Sequence, residues 1–247
     1  MKRFIYFPQK EIVRTPADVG LPFEDLSLST SDGVAINGWF IPFPGARTTL
    51  LWFHGNGGNI SSTVGRLRQY HNALKANILV IDYREYGRSS GEVSEEGTYQ
   101  DALAAYDYLL TRSDVDPTRI IAFGYSLGSA VAVELSLQRK TQGLILEAPF
   151  TSIQEMASLV VPWIPVGPLI TTRYDTLSKI GRLKIPLLII HGDQDEVVPF
   201  AQGRKVFEAA NEPKTFFPIP GAGHNNTNIV GGQSYLQTLS LFIDHLQ

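Results

Sequence analysis

A chain of 247 residues with 43% hydrophobic content is long enough to bury one substantial core, and its formal net charge of −3 offers no broad positive field to nucleic acid. It contains no cysteine, which removes disulfides, Cys-ligated metal and a thiol nucleophile from consideration and suits a reducing, cytoplasmic setting. A single domain spanning residues 1–247 is the expected organisation.

The chain opens with basic and then aromatic residues, Phe4, Ile5, Tyr6 and Phe7. This run is too short for a signal peptide or a membrane span, and it suits either plain packing, peripheral membrane contact or a position just after an anchor. Residues 23–43 alternate apolar and polar around Ser31-Asp32-Gly33, which predicts an antiparallel hairpin. From there the pattern becomes strand and helix in turn. Apolar runs at 49–53, 78–81, 120–123, 144–147, 187–190 and 215–219 predict strands, and five of the six lack alternation, as parallel strands covered on both faces do. Helices are expected near 61–74, 98–111, 127–138, 200–210 and 233–245. The alternation predicts an α/β fold, a mostly parallel sheet of about eight strands flanked by helices. Residues 150–184 interrupt it after the sixth strand, with Pro162, Pro165 and Pro168 breaking an apolar stretch at 160–170, and read as a small cap-like insertion.

Two stretches match Gly-x-Ser-x-Gly. Gly124-Tyr125-Ser126-Leu127-Gly128 lies directly between a predicted strand and a predicted helix, the setting of a nucleophilic serine on a tight strand-to-helix turn. Gly87-Arg88-Ser89-Ser90-Gly91 is separated from its strand by polar residues and opens no helix, so it reads as a loop. Ser126 is therefore the candidate nucleophile, and the chain reads as a serine hydrolase.

Such a serine needs a base. His71 and His245 fall within helices, and His54 and His191 each end a strand before glycine, where a ring can brace a turn. His224 stands instead in the polar loop Pro220-Gly221-Ala222-Gly223-His224-Asn225-Asn226 after the last strand, and is the expected general base. A carboxylate must fix its tautomer. Asp195 is preferred to Asp193, which sits in the tight turn, and to Glu147 at the end of the preceding strand. The order Ser126, Asp195, His224 is the one this fold class uses. Backbone N–H groups of Leu127, at the start of its helix, and of Asn56, in the glycine-rich loop His54-Gly55-Asn56-Gly57-Gly58-Asn59, are the candidate oxyanion donors. That loop lacks the Gly-Lys-Ser/Thr of a Walker phosphate site. The chemistry calls for no metal or organic cofactor.

These four motifs in this order resemble those of the α/β-hydrolase superfamily along nearly the whole chain. More narrowly, Phe7-Pro8, Asp82-Tyr83-Arg84 with Tyr86-Gly87 and Ser89, Glu147-Ala148-Pro149-Phe150-Thr151-Ser152 and Pro220-Gly221-Ala222-Gly223-His224-Asn225 resemble the serine-aminopeptidase-like branch, which includes protein depalmitoylases. The branch's acid in His-Gly-x-x-Asp falls on Asp195. The resemblance implies hydrolysis of a carboxylic ester or thioester in a small-molecule or acylated substrate. The apolar insertion and aromatic start add a lipase or depalmitoylase as an alternative, and a ligand-binding protein that keeps hydrolase architecture is the alternative outside enzymes.

Overall fold

The computed structural model describes residues 2–160 and 170–246. Eight strands form one sheet: β1 (Glu24–Ser29), β2 (Ala35–Ile41), β3 (Thr49–Phe53), β4 (Asn77–Ile81), β5 (Ile120–Tyr125), β6 (Gly143–Glu147), β7 (Leu187–Gly192) and β8 (Lys214–Ile219). Their spatial order is β1-β2-β4-β3-β5-β6-β7-β8. The expected hairpin is β1 and β2, paired antiparallel, and β2 joins β4 antiparallel. From β4 onward every neighbouring pair is parallel. The carboxyl ends of β3 to β8 therefore all point to one edge of the sheet.

Burial explains why the central strands read as unbroken apolar runs. Every residue of β3, β4, β6 and β7 is buried, because helices cover both faces. Successive side chains go to opposite faces. Leu51, Phe53, Leu79, Ala122, Leu144 and Ile189 pack on one side with Ala102, Val131 and Val206 from the helices there. Leu50, Trp52, Ile78, Phe123, Ile145 and Leu188 face the other side, against Leu67, Tyr70, Tyr235 and Leu239.

The helices are α1 (Val64–Leu74), α2 (Glu95–Leu110), α3 (Leu127–Gln138), α4 (Ile153–Val160), α5 (Thr176–Ile180), α6 (Phe200–Ala209), α7 (Thr227–Val230) and α8 (Gly232–His245). By their packing, α1 and α8 cover one face and α2, α3 and α6 the other. Helix α2 starts earlier than its apolar periodicity suggests, because the Ser94 side chain accepts a hydrogen bond from the Gly97 N–H and caps it at Glu95. The one-turn α7 has no counterpart in the sequence reading; four residues are too few for a period to show. Of the expected insertion, α4 and α5 are described, whereas Pro162, Trp163, Ile164, Pro165, Val166, Pro168 and Leu169 lie outside the described residues.

Candidate active site

Strand β5 delivers Ser126 at its carboxyl end, and α3 begins at the next residue. Ser126 takes φ +53° and ψ −117°, a conformation that costs a non-glycine residue about 1–3 kcal/mol and persists only where its surroundings impose it. They do so through backbone contact. A Cβ on Gly124 would lie 2.2 Å from the Gly128 carbonyl oxygen, and one on Gly128 would lie 2.2 Å from that of Phe53. Both glycines of the motif are thus required by the close passage of β5, α3 and β3. The Ser126 N–H is also held by the Glu147 carbonyl at 2.9 Å.

The loops after β7 and β8 bring two partners to this serine. His224 Nε2 lies 3.0 Å from Ser126 Oγ, and His224 Nδ1 lies 2.7 Å from Asp195 Oδ2. Asp195 Oδ1 accepts the N–H groups of Val197 at 2.9 Å and Val198 at 2.7 Å. Burial alone would raise the Asp195 pKa, but hydrogen bonds from His191 and His224, the His224 charge and the Val198 N–H outweigh it and hold the carboxyl well below the usual carboxylate range. Ionised Asp195 can only accept, so His224 carries its proton on Nδ1 and turns the Nε2 lone pair toward the serine hydroxyl.

The other candidates separate clearly. Asp193 Oδ1 accepts from the Gly221 N–H at 2.7 Å, bracing the loop after β8 against the loop after β7 rather than meeting His224. Glu147, fully buried, binds Arg66 Nη1 through both oxygens at 2.9 Å, accepts from Tyr235 at 2.8 Å and also accepts from Thr227. Ser89 is buried in the loop expected for it; its hydroxyl accepts from the Asn37 N–H and donates to the Asp82 carbonyl. His54 and His191 act as turn braces, with His54 Nδ1 2.7 Å from the Gly55 carbonyl and His191 Nε2 2.9 Å from that of Val198.

Leu127 opens α3, where the first N–H groups have no acceptor within the helix. Asn56 lines, together with Ser126 and His224, a cavity of about 460 Å³ that is also walled by Gln9, Ser62, Thr63, Arg66 and Tyr125. Arg66 was not anticipated as part of the site. Its guanidinium, 4.8 Å over the Tyr125 ring, reaches the cavity while remaining paired with Glu147. The Tyr125 hydroxyl donates to the His224 carbonyl at 3.0 Å and so steadies the loop carrying that histidine. Among the described residues, no group of three or more His, Cys, Asp and Glu is arranged to hold a metal ion.

Comparison with known proteins agrees with this architecture. Rv2307c of Mycobacterium tuberculosis is 36% identical over 98% of this chain and 86% of its own length. The α/β hydrolase domain-containing protein WAV2 of Arabidopsis thaliana is 36% identical over 98% of this chain and 87% of its own. The structure of the Pyrococcus furiosus esterase Pf2001 superposes with a TM-score of 0.80 at 20% identity, covering 98% of this chain and 97% of the esterase, a likeness of fold. Residues 84–241 match the model of the prolyl oligopeptidase family. The chain is thus an α/β hydrolase, and it belongs to the prolyl oligopeptidase family.

Proposed function

We propose that the protein is a serine hydrolase that cleaves carboxylic esters or thioesters through an acyl-enzyme on Ser126. The observation that carries this reading is the unbroken hydrogen-bonded series from Ser126 Oγ through His224 to Asp195, on a strained turn at the wall of a cavity. His224 Nε2 takes the hydroxyl proton as Oγ attacks the carbonyl carbon, and Asp195 stabilises the imidazolium that forms. The resulting oxyanion is received by the N–H groups of Leu127 and Asn56. His224 then gives its proton to the departing alcohol or thiol. Water, deprotonated by the same histidine, releases the acyl group and restores the serine.

The test is hydrolysis of p-nitrophenyl acetate by the purified chain and by Ser126→Ala. Turnover is expected to fall by about a thousandfold or more in the variant, as when a nucleophile is removed from other hydrolases. Equal rates would end the assignment. A fluorophosphonate probe run alongside separates an enzyme from a binding protein of the same architecture, since labelling requires an activated serine.

The cavity wall supports compact, polar substrates. Gln9, Asn56, Ser62, Thr63 and Arg66 line it with polar side chains, which a long acyl chain would strip of water without offering a hydrogen bond in return. Activity on p-nitrophenyl esters is therefore expected to decline beyond a few carbons. A lipase or depalmitoylase would show the reverse trend; of its two motivations, the apolar stretch at 160–170 falls almost wholly outside the described residues, and the aromatic start leaves Phe4 and Phe7 exposed. The family match favours a peptide amide as a second substrate class. A prolyl p-nitroanilide assayed beside the ester distinguishes the two.

A further inference from the structure

The loop that carries Asn56 contains Gly55, Gly57 and Gly58, and a glycine-rich segment has no intrinsic preference for one backbone course. Something outside the loop must fix it. The structure contains that element: the first residues of the chain run alongside the loop as a strap. Phe7 and Pro8 pair in parallel register with Gly57 and Gly58. The Phe7 N–H donates to the Asn56 carbonyl at 2.9 Å, and the Gln9 N–H donates to the Gly58 carbonyl at 3.0 Å. In return, Asn56 Nδ2 donates to the Ile5 carbonyl at 2.8 Å and Asn59 Nδ2 to the Gln9 carbonyl at 3.0 Å.

The strap is anchored in its turn. The Gln9 carbonyl also accepts the Gly87 N–H at 2.9 Å, and buried Tyr6 donates to the Tyr174 hydroxyl at 3.0 Å. Its hold on Asn56 is complemented from the core side. Tyr86 donates to the Asn56 carbonyl at 2.7 Å, and His54 Nδ1 meets the Gly55 carbonyl at 2.7 Å. In a trans peptide the carbonyl of one residue and the N–H of the next point in opposite directions. The His54 contact therefore aims the Asn56 N–H, while Phe7, Tyr86 and Ile5 fix the carbonyl and side chain of that same residue. Neither peptide plane flanking the Asn56 α-carbon is left to the glycines.

We infer that the strap at residues 5–9 is a positioning element for catalysis: by fixing the carbonyl and side chain of Asn56 it keeps in place the residue whose N–H, aimed by the His54 contact, meets the forming oxyanion. This inference rests on the proposed esterase reading and on Asn56 as a donor within it. The strap acts through its main chain: the Phe7 side chain is 52% exposed, whereas its N–H is the group that engages the loop. Loosening the loop weakens binding of the transition state more than binding of the substrate, so the loss appears in kcat rather than in KM.

The experiment compares Phe7→Ala, which keeps the N–H, with Phe7→Pro, which deletes it. Pro8 already confines residue 7 to extended backbone, a region proline itself can occupy, so a proline there removes the donor without calling for a turn. Steady-state hydrolysis of p-nitrophenyl acetate and binding of a trifluoromethyl ketone, whose adduct places an oxyanion in the same position, are measured with thermal unfolding as a check on folding. Phe7→Pro is expected to lower kcat by about tenfold to a hundredfold, part of the hundred- to thousandfold cost of losing a donor outright, with KM within about twofold. The ketone weakens by a similar factor, and Phe7→Ala matches the wild type. A Phe7→Pro enzyme with the kcat of Phe7→Ala, or one whose loss lies wholly in KM, overturns the inference. Should Phe7→Pro fail to fold, Asn56→Ala, which cuts the tie to Ile5 and retains the Asn56 N–H, decides the matter: a wild-type kcat overturns the strap, and a selective kcat loss supports it. Absence of turnover in the wild-type chain would instead refute the esterase reading itself.

Discussion

Asp195 shows how one side chain joins local geometry to the behaviour of the whole fold. It is ionised because the site supplies donors to both its oxygens, and its pKa in the folded chain lies below the value near 3.9 of an unfolded aspartate. A depressed folded pKa means that the unfolded state binds the proton more readily. The stability Asp195 contributes is therefore fully present above about pH 4 and is lost as pH falls from there through the folded value. Urea unfolding of the wild type and Asp195→Asn across an acid series is expected to show a gap that is widest above about pH 4 and closes on acidification. A gap independent of pH would contradict this coupling. The choice of Asp195 over Asp193 was legible in the sequence from turn chemistry, although Asp193 braces a neighbouring loop rather than its own turn. What the sequence could not display is the second histidine on Asp195: His191 Nε2 lies 3.3 Å from Oδ2, a contact created by the loop folding back on its strand.

At the scale of elements, the site stands on a buried polar assembly. Glu147 at the end of β6 gathers Arg66 from α1, Thr227 from α7 and Tyr235 from α8, and Tyr235 meets Tyr70 at 2.5 Å. Burial first, and then the Glu147 charge, push the Tyr70 and Tyr235 hydroxyls well above the usual tyrosine range, so both stay protonated. The assembly fastens the two helices of one face to the strand whose last carbonyl holds the Ser126 N–H. Glu147→Gln would strip the charge from a pair in which the acid is fully buried and the arginine nearly so. A loss of about 3–5 kcal/mol in unfolding free energy is expected, as for other buried pairs broken on one side. A loss below about 1 kcal/mol would mean that water or relaxation compensates. Glu147 was readable as a structural group near the elbow, but its partners were not. Arg66, Tyr70, Thr227 and Tyr235 come from segments up to 169 positions apart, and no local period marks their convergence. The same holds for the strap, whose two-residue ladder with Gly57 and Gly58 spans some fifty residues of chain and is made by main-chain groups that any sequence possesses.

For the whole molecule, the parallel sheet was the most legible feature, because strands covered on both faces must be apolar throughout. The hairpin and the half-covered last strand mark where that rule ends: β1 and β8 are edges with exposed positions along them. Protection should follow the same order. In amide hydrogen exchange read by mass spectrometry, peptides from β3 and β5 are expected to exchange most slowly and those from β1 and β8 fastest within the sheet. Equal protection of β8 and β3 would show that the sheet opens only as a unit.

Because β3 to β8 run the same way, the loops entering those strands all lie at the edge opposite Ser126. Asp116, Pro117 and Thr118, just ahead of β5, are exposed there. The molecule thus has a working end and a handling end. A bead, surface or fusion partner attached at 116–118 would hold the protein by its back, leaving the mouth of the cavity turned toward the solution it samples.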